Sequence, residues 1–586
     1  MQFSTLTETF EAIESTTKRL EMTDLLVDLL KKTAREEIDK VAYITTGELY
    51  PAYLGIELGV AVKLAARSIS MISGKDEKKI DAIYKQTGDL GVSVEQLLRE
   101  KFQTTLAKEP LTLERVYSTL DRIARASGAG SQEEKIGLLA NLLSDATPRE
   151  AKYITRMVLG RLRLGVGDMT LLDALAVAYA GGKEEREEIE RAYNLTSDIG
   201  YVARILSTKG MAAVKGVKVT FGRPIKPQMA ERLKTLEEIL EKMGGECIAQ
   251  YKYDGIRIQS QISPKEVILF SRRQENITDQ FPDIVKALKK AITTDEVILD
   301  GEAVPTDPNT GELMPFQVIS QRRGRKYDIE KMAREVPVAL CLFDILYKDG
   351  EDITPQSYPE RRRVLAETIH PTDRIRIAED IISKDPREIK AFFNKAIQEG
   401  TEGLICKSTA PDSIYEAGHR GWKWIKWKRS YRSEMTDTVD LVAIGAYAGR
   451  GRRAGTYGAL LMAAYDPEKD QFFSVTKLGS GFTDEDLARL PKLFEPYLIP
   501  HRHPRVDSLT EADFWFIPAK VFEVIGDEIT LSPVHTCAFG AIREESGLAV
   551  RFPRLIKPRE DRTPEDATTV EEIIQMYKLQ LKKISE

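Results

Sequence analysis

The chain has 586 residues, 42% of them hydrophobic and 30% charged, with a formal net charge of −5. That length exceeds what one core organises, so two or three domains of a soluble globular class are expected. No apolar run approaches bilayer-spanning length, and the acidic opening "MQFSTLTETFEAIESTTKRLEM" is no secretory signal, so an intracellular protein is expected. Cys247, Cys341, Cys406 and Cys537 lie far apart and form no Cys-x-x-Cys pair. A disulfide framework or a structural zinc site is therefore not expected.

The first third reads helical. "TDLLVDLLKKT" opens on a Thr23-Asp24 capping candidate and spaces its apolar residues for one buried stripe. "SQEEKIGLLANLLSD" and "LLDALAVAYAGG" continue the style, the second ending on a glycine pair suited to a C-cap. Near Lys215 the texture changes: "KGVKVTFGRPIKPQMA" reads as a linker into a new domain. Short strands then dominate: "RIQSQI", "EVILF", "EVILD", "PVALCLFDILY", "EGLICK" and "WIKWK", with helices such as "FPDIVKALKKAI" between them. A third texture follows. "TVDLVAIGAYAG", "GALLMAAYD", "FFSVTKLGSG", "KVFEVIGDEITL" and "GLAVRFPRL" make five strand candidates, the count of a small barrel such as the OB-fold. A final helix, "TVEEIIQMYKLQLKKI", follows them.

The negative net charge argues against nucleic acid as a partner, but local patches decide binding, and the basic residues are concentrated. "QRRGRKY" (321–327), "KWIKWKRSYR" (423–432) and "GRGRRAG" (449–455) are the clearest runs, each also readable as a solvated surface. In "QYKYDGIRIQS" alternation places Gln250 and Lys252 on one strand face before an Asp-Gly turn, with Arg257 beyond it. Lysine is a weak nucleophile while protonated, so a catalytic lysine needs burial or cationic neighbours. By itself this string reads equally well as a hairpin turn.

Other fragments arrive in order. "FSRRQEN" supplies Arg272, "ILDGEAV" Glu302, "LFDILY" Phe343, and "EGLICK" Glu402 and Lys407. "GWKWIKWKR" supplies Lys426 and Lys428 on one face, opposite Ile425 and Trp427, and "RFPRLIKPRED" supplies Arg551, Arg554 and Arg559. This ordered set resembles the six signature motifs of the covalent nucleotidyltransferases, most closely the ATP-dependent DNA ligases of the archaeal and eukaryotic replicative type. The resemblance extends to the helical third through "LGRLRLGVGDMTLLDALA" and "ASGAGSQEEK". It implies a multi-domain α+β chain in three parts: a helical DNA-binding domain over 1–218, an adenylation domain with antiparallel sheets over 219–430, and an OB-fold domain with a C-terminal helix over 431–586.

The resemblance also implies roles. Lys252 attacks the α-phosphorus of ATP, forming lysyl-AMP. AMP passes to the 5′-phosphate at a nick in duplex DNA, and the 3′-hydroxyl then displaces it, as in replication, repair and recombination. Lys426 and Lys428 hold the α-phosphate, and their charge favours a neutral Lys252. Glu302 binds the ribose hydroxyls and helps place metal, and Glu402 helps place magnesium, with manganese the alternative ion. Phe343 stacks on adenine, although a core phenylalanine would look the same. Gln250 lies near the adenine edge, Arg257, Arg272 and Arg420 complete the nucleotide pocket, and Arg551 and Arg554 orient pyrophosphate. That last task needs a hinge near "KRSYRSEMTD" (428–437). In "SGAGSQEEK" a helix N-terminus offers backbone amides to DNA phosphates, the alternative being an ordinary helix cap.

Three departures stand out. Gln250 occupies a position where glutamate is frequent, with a small expected effect. "EGLICK" has Ile-Cys where Met-Val is common, read as a change on the packing side of the strand. In "KFQTTLAKE" Gln103 and Leu106 lack the aromatic pair of a sliding-clamp motif, so clamp binding is expected from the family but not from this stretch. Without a cysteine-rich module the NAD-dependent ligases match poorly. The alternatives are an RNA ligase or capping-type nucleotidyltransferase, against which the large helical region argues, and a non-catalytic nucleic-acid-binding protein. A monomer acting on DNA, chromosome-associated in the cytoplasm and away from membranes, is expected.

Overall fold

The computed structural model describes every residue except 101–108, 308–310, 315, 321, 323–327, 429–436, 450–452, 454 and 586. The chain forms two compact units, one of Met1–Lys75 with Val94–Lys428, the other of Asp76–Ser93 with Arg429–Glu586. Among the described residues, no helix is long and apolar enough to cross a membrane.

The first unit opens with packed helices. Phe3–Glu14 buries Phe3, Leu6, Phe10 and Ile13, the three- and four-residue spacing of one apolar stripe. The helix expected to start at Thr23 starts at Arg19 instead and runs to Lys32. Thr23 is buried inside it, and its hydroxyl donates to the Arg19 carbonyl at 3.0 Å rather than capping. Ser131–Asp145 begins where the sequence places it, behind Gly130 in the left-handed region (φ +83°). Asp168–Leu175 continues through Ala176–Ala180 and stops at Gly181 (φ +93°), the expected glycine cap. The stretch read as a linker is packed down: Ile225 is buried, and its amide and carbonyl bond the two ends of the Gln259 carboxamide at 2.9 and 3.0 Å.

Two sheets follow in the same unit. Their strands in chain order are β1 (Met229–Arg232), β2 (Cys247–Lys252), β3 (Ile256–Ile262), β4 (Val267–Ser271), β5 (Val297–Pro305), β6 (Val338–Lys348), β7 (Glu351–Asp352), β8 (Ile375–Ile377), β9 (Asp380–Ser383), β10 (Gly403–Ser408) and β11 (Arg420–Lys428). One sheet runs β1-β11-β10-β2-β9; the other runs β4-β3-β5-β6-β7 with β8 beside β6. Most pairs are antiparallel, with β1–β11 and β6–β8 parallel. The Asp254-Gly255 link between β2 and β3 carries the chain from one sheet to the other. A Cβ at Gly255 would fall 2.2 Å from the Ala303 carbonyl oxygen, so no side chain fits there. Helices Leu236–Lys242 and Pro386–Gln398 cover the back of the first sheet over Leu404, Ile425 and Trp427. Helix Pro282–Ala291 packs on the second over Ile258, Leu299 and Leu340.

The basic run at 321–327 is not a solvated patch where it is described. Arg322 is buried, stacks 4.6 Å from the Phe281 ring and pairs with Asp283 at 2.6 Å; the rest of that run lies outside the described residues. Gln103 and Leu106 lie outside them as well, as do 429–432, most of the proposed hinge, and residues 450–452 and 454 of the third run.

The second unit is rich in sheet: β12 (Val439–Ala448), β13 (Tyr457–Asp466), β14 (Gln471–Leu478), β15 (Leu498–Ile499), β16 (Val506–Asp507), β17 (Phe514–Phe516), β18 (Val521–Ile525), β19 (Glu528–Ser532), β20 (Gly547–Arg551) and β21 (Arg554–Arg559). β12 pairs with β13 on one side; on the other it meets β18 along Val439–Val442 and β17 at Gly445–Ala446. A bulge between Ala443 and Gly445 bends the strand so that its halves serve different neighbours, the way a sheet curls toward a barrel. Two of the five strand candidates are each a pair of strands. "KVFEVIGDEITL" breaks between β18 and β19, and "GLAVRFPRL" breaks at Phe552 (φ +51°) between β20 and β21. Helix Val570–Ser585 follows the strands, as expected.

Candidate active site

Cross-strand register builds the site. β10 lies between β2 and β11, so Gly403 faces Lys252 on one side and Lys428 on the other. Ile405 faces Gln250 and Lys426 in the next row, and Lys407 faces Ile248 and Trp424 in the third. Since side chains alternate across a strand, all three rows project from one face. Ile405 is therefore on the open face, not the packing side that the sequence suggested; only its neighbour Cys406 packs behind.

Gly403 is what allows the first row. Its φ is +141°, and a Cβ would lie 2.3 Å from the Trp427 carbonyl oxygen. Gly403→Ala is expected to cost about 1–3 kcal/mol in backbone strain alone and to displace Glu402. Urea unfolding and any activity of the cleft should fall together in that variant.

The open face forms one wall of a cleft of about 600 Å³. Lys252, Arg257, Arg272, Arg420, Lys426 and Lys428 line it, as do Glu302, Gln250 and Phe343. With Lys407, which also lines it, ten of the sequence-selected residues thus converge. Glu402 sits at the edge, where its carboxylate pairs with Lys252 and, at 2.6 Å, with Lys428. Its backbone amide donates to the Lys252 carbonyl at 2.9 Å. Arg551 and Arg554 belong to the other unit: they flank the β20–β21 turn, half exposed, 3.8 Å from Glu528 and Asp527 respectively. Arg559 pairs with Asp440 at 2.9 Å and with Asp561 at 2.8 Å.

The charges form two clusters. Burial and the facing cations Arg420, Lys428, Lys252 and Arg272 all depress the Lys426 pKa. Such a group of like charges is an anion site. The acids crowd in turn. Burial raises Glu402, but the Lys252 and Lys428 ammoniums outweigh it and hold the carboxyl below its usual range. Burial, then the adjacent Glu402, pushes Asp254 up to about 6. Glu302 is pushed up to about 7, chiefly by burial, with Lys252 and Arg257 pulling the other way.

A raised acid pKa means the native state holds its proton more tightly than the unfolded chain does. This contribution to stability is present in full below about pH 4.5 and is lost as pH rises through about 7. Glu302→Gln removes that loss. The ligand-free variant is expected to gain on wild type across this window, by up to about 3 kcal/mol at one pKa unit per about 1.4 kcal/mol. Urea midpoints over a pH series test this, and parallel curves would contradict it.

Sequence reasoning missed several partners. Arg257 does line the cleft, but most of its donors are engaged: Nε and Nη2 bond Asp300 at 3.0 and 2.5 Å, and Nη1 bonds the Gln228 carbonyl at 2.7 Å. Its guanidinium lies 5.3 Å from the Phe343 ring. Tyr415 completes the group, its hydroxyl donating to Asp300 at 2.9 Å. Lys407 is buried between the Tyr358, Trp424 and Phe343 rings, 4.1, 4.2 and 4.9 Å from their centroids. Burial drives its amine down to about 7. Asp300, Lys407 and Trp424 stood in the quoted motifs, Asp300 two residues before Glu302, without their roles being legible there; Tyr358 and Tyr415 come from segments distant in sequence.

Among the described residues, no group of three or more His, Cys, Asp or Glu is arranged to hold a metal ion by itself. The acids present, Glu302, Glu402 and Asp254, nevertheless fit a magnesium held by few carboxylates plus substrate oxygens. Two of them carry raised pKa values that a cation would relieve.

Three family models cover most of the chain: "DNA ligase N terminus" over 2–176, "ATP dependent DNA ligase domain" over 227–428 and "ATP dependent DNA ligase C terminal region" over 453–562. The chain is 54% identical to "DNA ligase 2" of Thermofilum pendens, covering 99% of this chain and 98% of that one. It is 51% identical to "DNA ligase" of Staphylothermus marinus over the full length of both. The solved structure Pmar-Lig_PreS3 shares the fold at a TM-score of 0.54 and 17% identity, covering 94% of this chain and 99% of that one. With a cation-lined cleft built from the motif residues, and relatives matching end to end at half identity, this chain belongs to the ATP-dependent DNA ligase family.

Proposed function

We propose that the chain seals nicks in duplex DNA, with Lys252 as the residue that carries AMP. The observation behind this reading is the meeting of Lys252, Lys426 and Lys428 on one sheet face, with Glu402 against Lys252. The amine attacks in its neutral form, and Glu402, in contact with it, holds it at the cleft. The amine nitrogen then bonds the α-phosphorus as the bond to pyrophosphate breaks. Lys426 and Lys428 neutralise the phosphate oxygens in a step that depends on positioning and charge more than on covalent chemistry. Phe343 stacks on adenine, Glu302 takes the ribose hydroxyls, and Arg272 and Arg420 steer the phosphates. Arg257, held by Asp300, supports the Phe343 ring. Glu302 and Glu402 would hold magnesium, or manganese in its place, which supplies positive charge at the reacting phosphate.

In the remaining steps AMP moves to the 5′-phosphate of the nick and the 3′-hydroxyl displaces it. Contacts to DNA are to phosphate, since a nick sealer has no sequence to read. The helix at Ser131–Asp145, uncapped by any side chain, would offer the amides of Gln132 and Glu133 for this. We divide the chain at 218 and 430 into DNA-binding, adenylation and OB-fold domains. Arg551 and Arg554 of the last would orient pyrophosphate. A monomer acting at the chromosome, inside the cell, with a sliding clamp as partner, completes the reading. The test is incubation with α-labelled ATP and magnesium, followed by a nicked duplex. Label on the protein that chases into DNA supports the proposal; an unlabelled protein favours a binding module.

A further inference from the structure

A carboxamide is ambivalent: its oxygen accepts, its nitrogen donates, and a flip exchanges them. Gln250 lines the cleft beside Phe343, and its surroundings remove that ambivalence. Its Nε2 donates to the Tyr358 hydroxyl at 3.1 Å and to the Asp380 carboxylate at 3.2 Å. The Tyr358 proton is itself directed at the Phe343 carbonyl, 3.1 Å away, and Lys407 donates to the same hydroxyl oxygen at 3.0 Å. With its proton on the Phe343 carbonyl, this hydroxyl accepts from Gln250. Asp380, paired with Arg362 at 2.6 Å, is likewise an acceptor. A flipped amide would set its oxygen against two acceptors at hydrogen-bond distance, with no proton between them. The side chain is held with its oxygen turned away from both.

We propose that Tyr358 and Asp380 are positioning residues that fix Gln250 as an acceptor at the base end of the cleft, selecting a purine nucleotide with an amine at C6 over one with a carbonyl there. A 6-oxo purine would bring its own acceptor to the Gln250 oxygen, and unpaired buried polar groups are what give strong discrimination. The inference rests on the reading of the cleft as a nucleotide site, and the two fail separately.

The experiment compares kcat/KM for protein labelling by α-labelled ATP and GTP in full-length wild type, Tyr358→Phe and Asp380→Asn. The ratio cancels any general loss of catalytic power. Wild type should strongly favour ATP. Tyr358→Phe is expected to lower the ATP/GTP ratio tenfold or more, through a raised KM for ATP and gained use of GTP, and Asp380→Asn should lower it in the same direction. If Tyr358→Phe labels with neither nucleotide, Asp380→Asn carries the test. Unchanged ratios, loss of both nucleotides together in both variants, or a wild type indifferent between them would each overturn the proposal. Labelling that survives Lys252→Ala would instead sink the nucleotide reading of Lys252 beneath it.

Discussion

Lys252→Ala is expected to abolish protein labelling by ATP and multiple-turnover sealing of ordinary nicks. The replacement removes the only atom proposed to bond phosphorus, and neither Lys426 nor Lys428 can take over, since each faces the cleft from β11 rather than from β2. The same variant should still seal a nick that already carries 5′-adenylate in single-turnover reactions, because the last displacement uses the 3′-hydroxyl. A variant whose sealing equals that of wild type would refute the assignment.

Asp344→Ala is expected to be the most destabilising single change near the site. Asp344 and Arg361 are both fully buried and joined twice, at 2.8 and 3.1 Å. Arg361 also donates to the carbonyls of Gln356 and Ser413 at 2.6 and 3.0 Å, tying the helix Tyr358–Thr368 to a loop. Removing the acid leaves a guanidinium in the core without its counter-charge, a loss of about 3–5 kcal/mol. Asp344 adjoins Phe343 on β6, so the damage reaches the cleft. Urea unfolding of the full chain measures it, and a shift under about 1 kcal/mol would show that the pair is better solvated than its burial implies.

The parts of the site legible in the sequence were those that local rules carry. Strand alternation alone put Lys426 and Lys428 opposite Ile425 and Trp427, and the motif order brought Lys252, Glu302 and Glu402 into one reading. The helices and most strands followed from periodicity. What was not legible depends on register and on distant partners. Nothing local says that Glu402 pairs with both Lys252 and Lys428; this follows from β10 lying between their strands. Nothing local says that Arg257, read into the nucleotide pocket, is held by Asp300 across the adjacent strands. Arg322 reads as surface charge, yet it is buried against Phe281. The sequence puts Ile405 on the packing side, but the strand begins one residue past Glu402, at a glycine whose backbone few residues adopt, and Ile405 faces the cleft.

Two lysines in this cleft have a claim to chemistry. Lys407 is buried with its amine brought down to about 7, which by itself describes a nucleophile. It is, however, enclosed by three aromatic rings and bonded to Tyr358, two rows away from the row in which Gly403 faces Lys252 and Lys428. Peptide mapping of the protein after incubation with ATP and magnesium decides between them. AMP attached to the Lys252 side chain is the predicted result; AMP on Lys407, or on any other residue, would contradict the account.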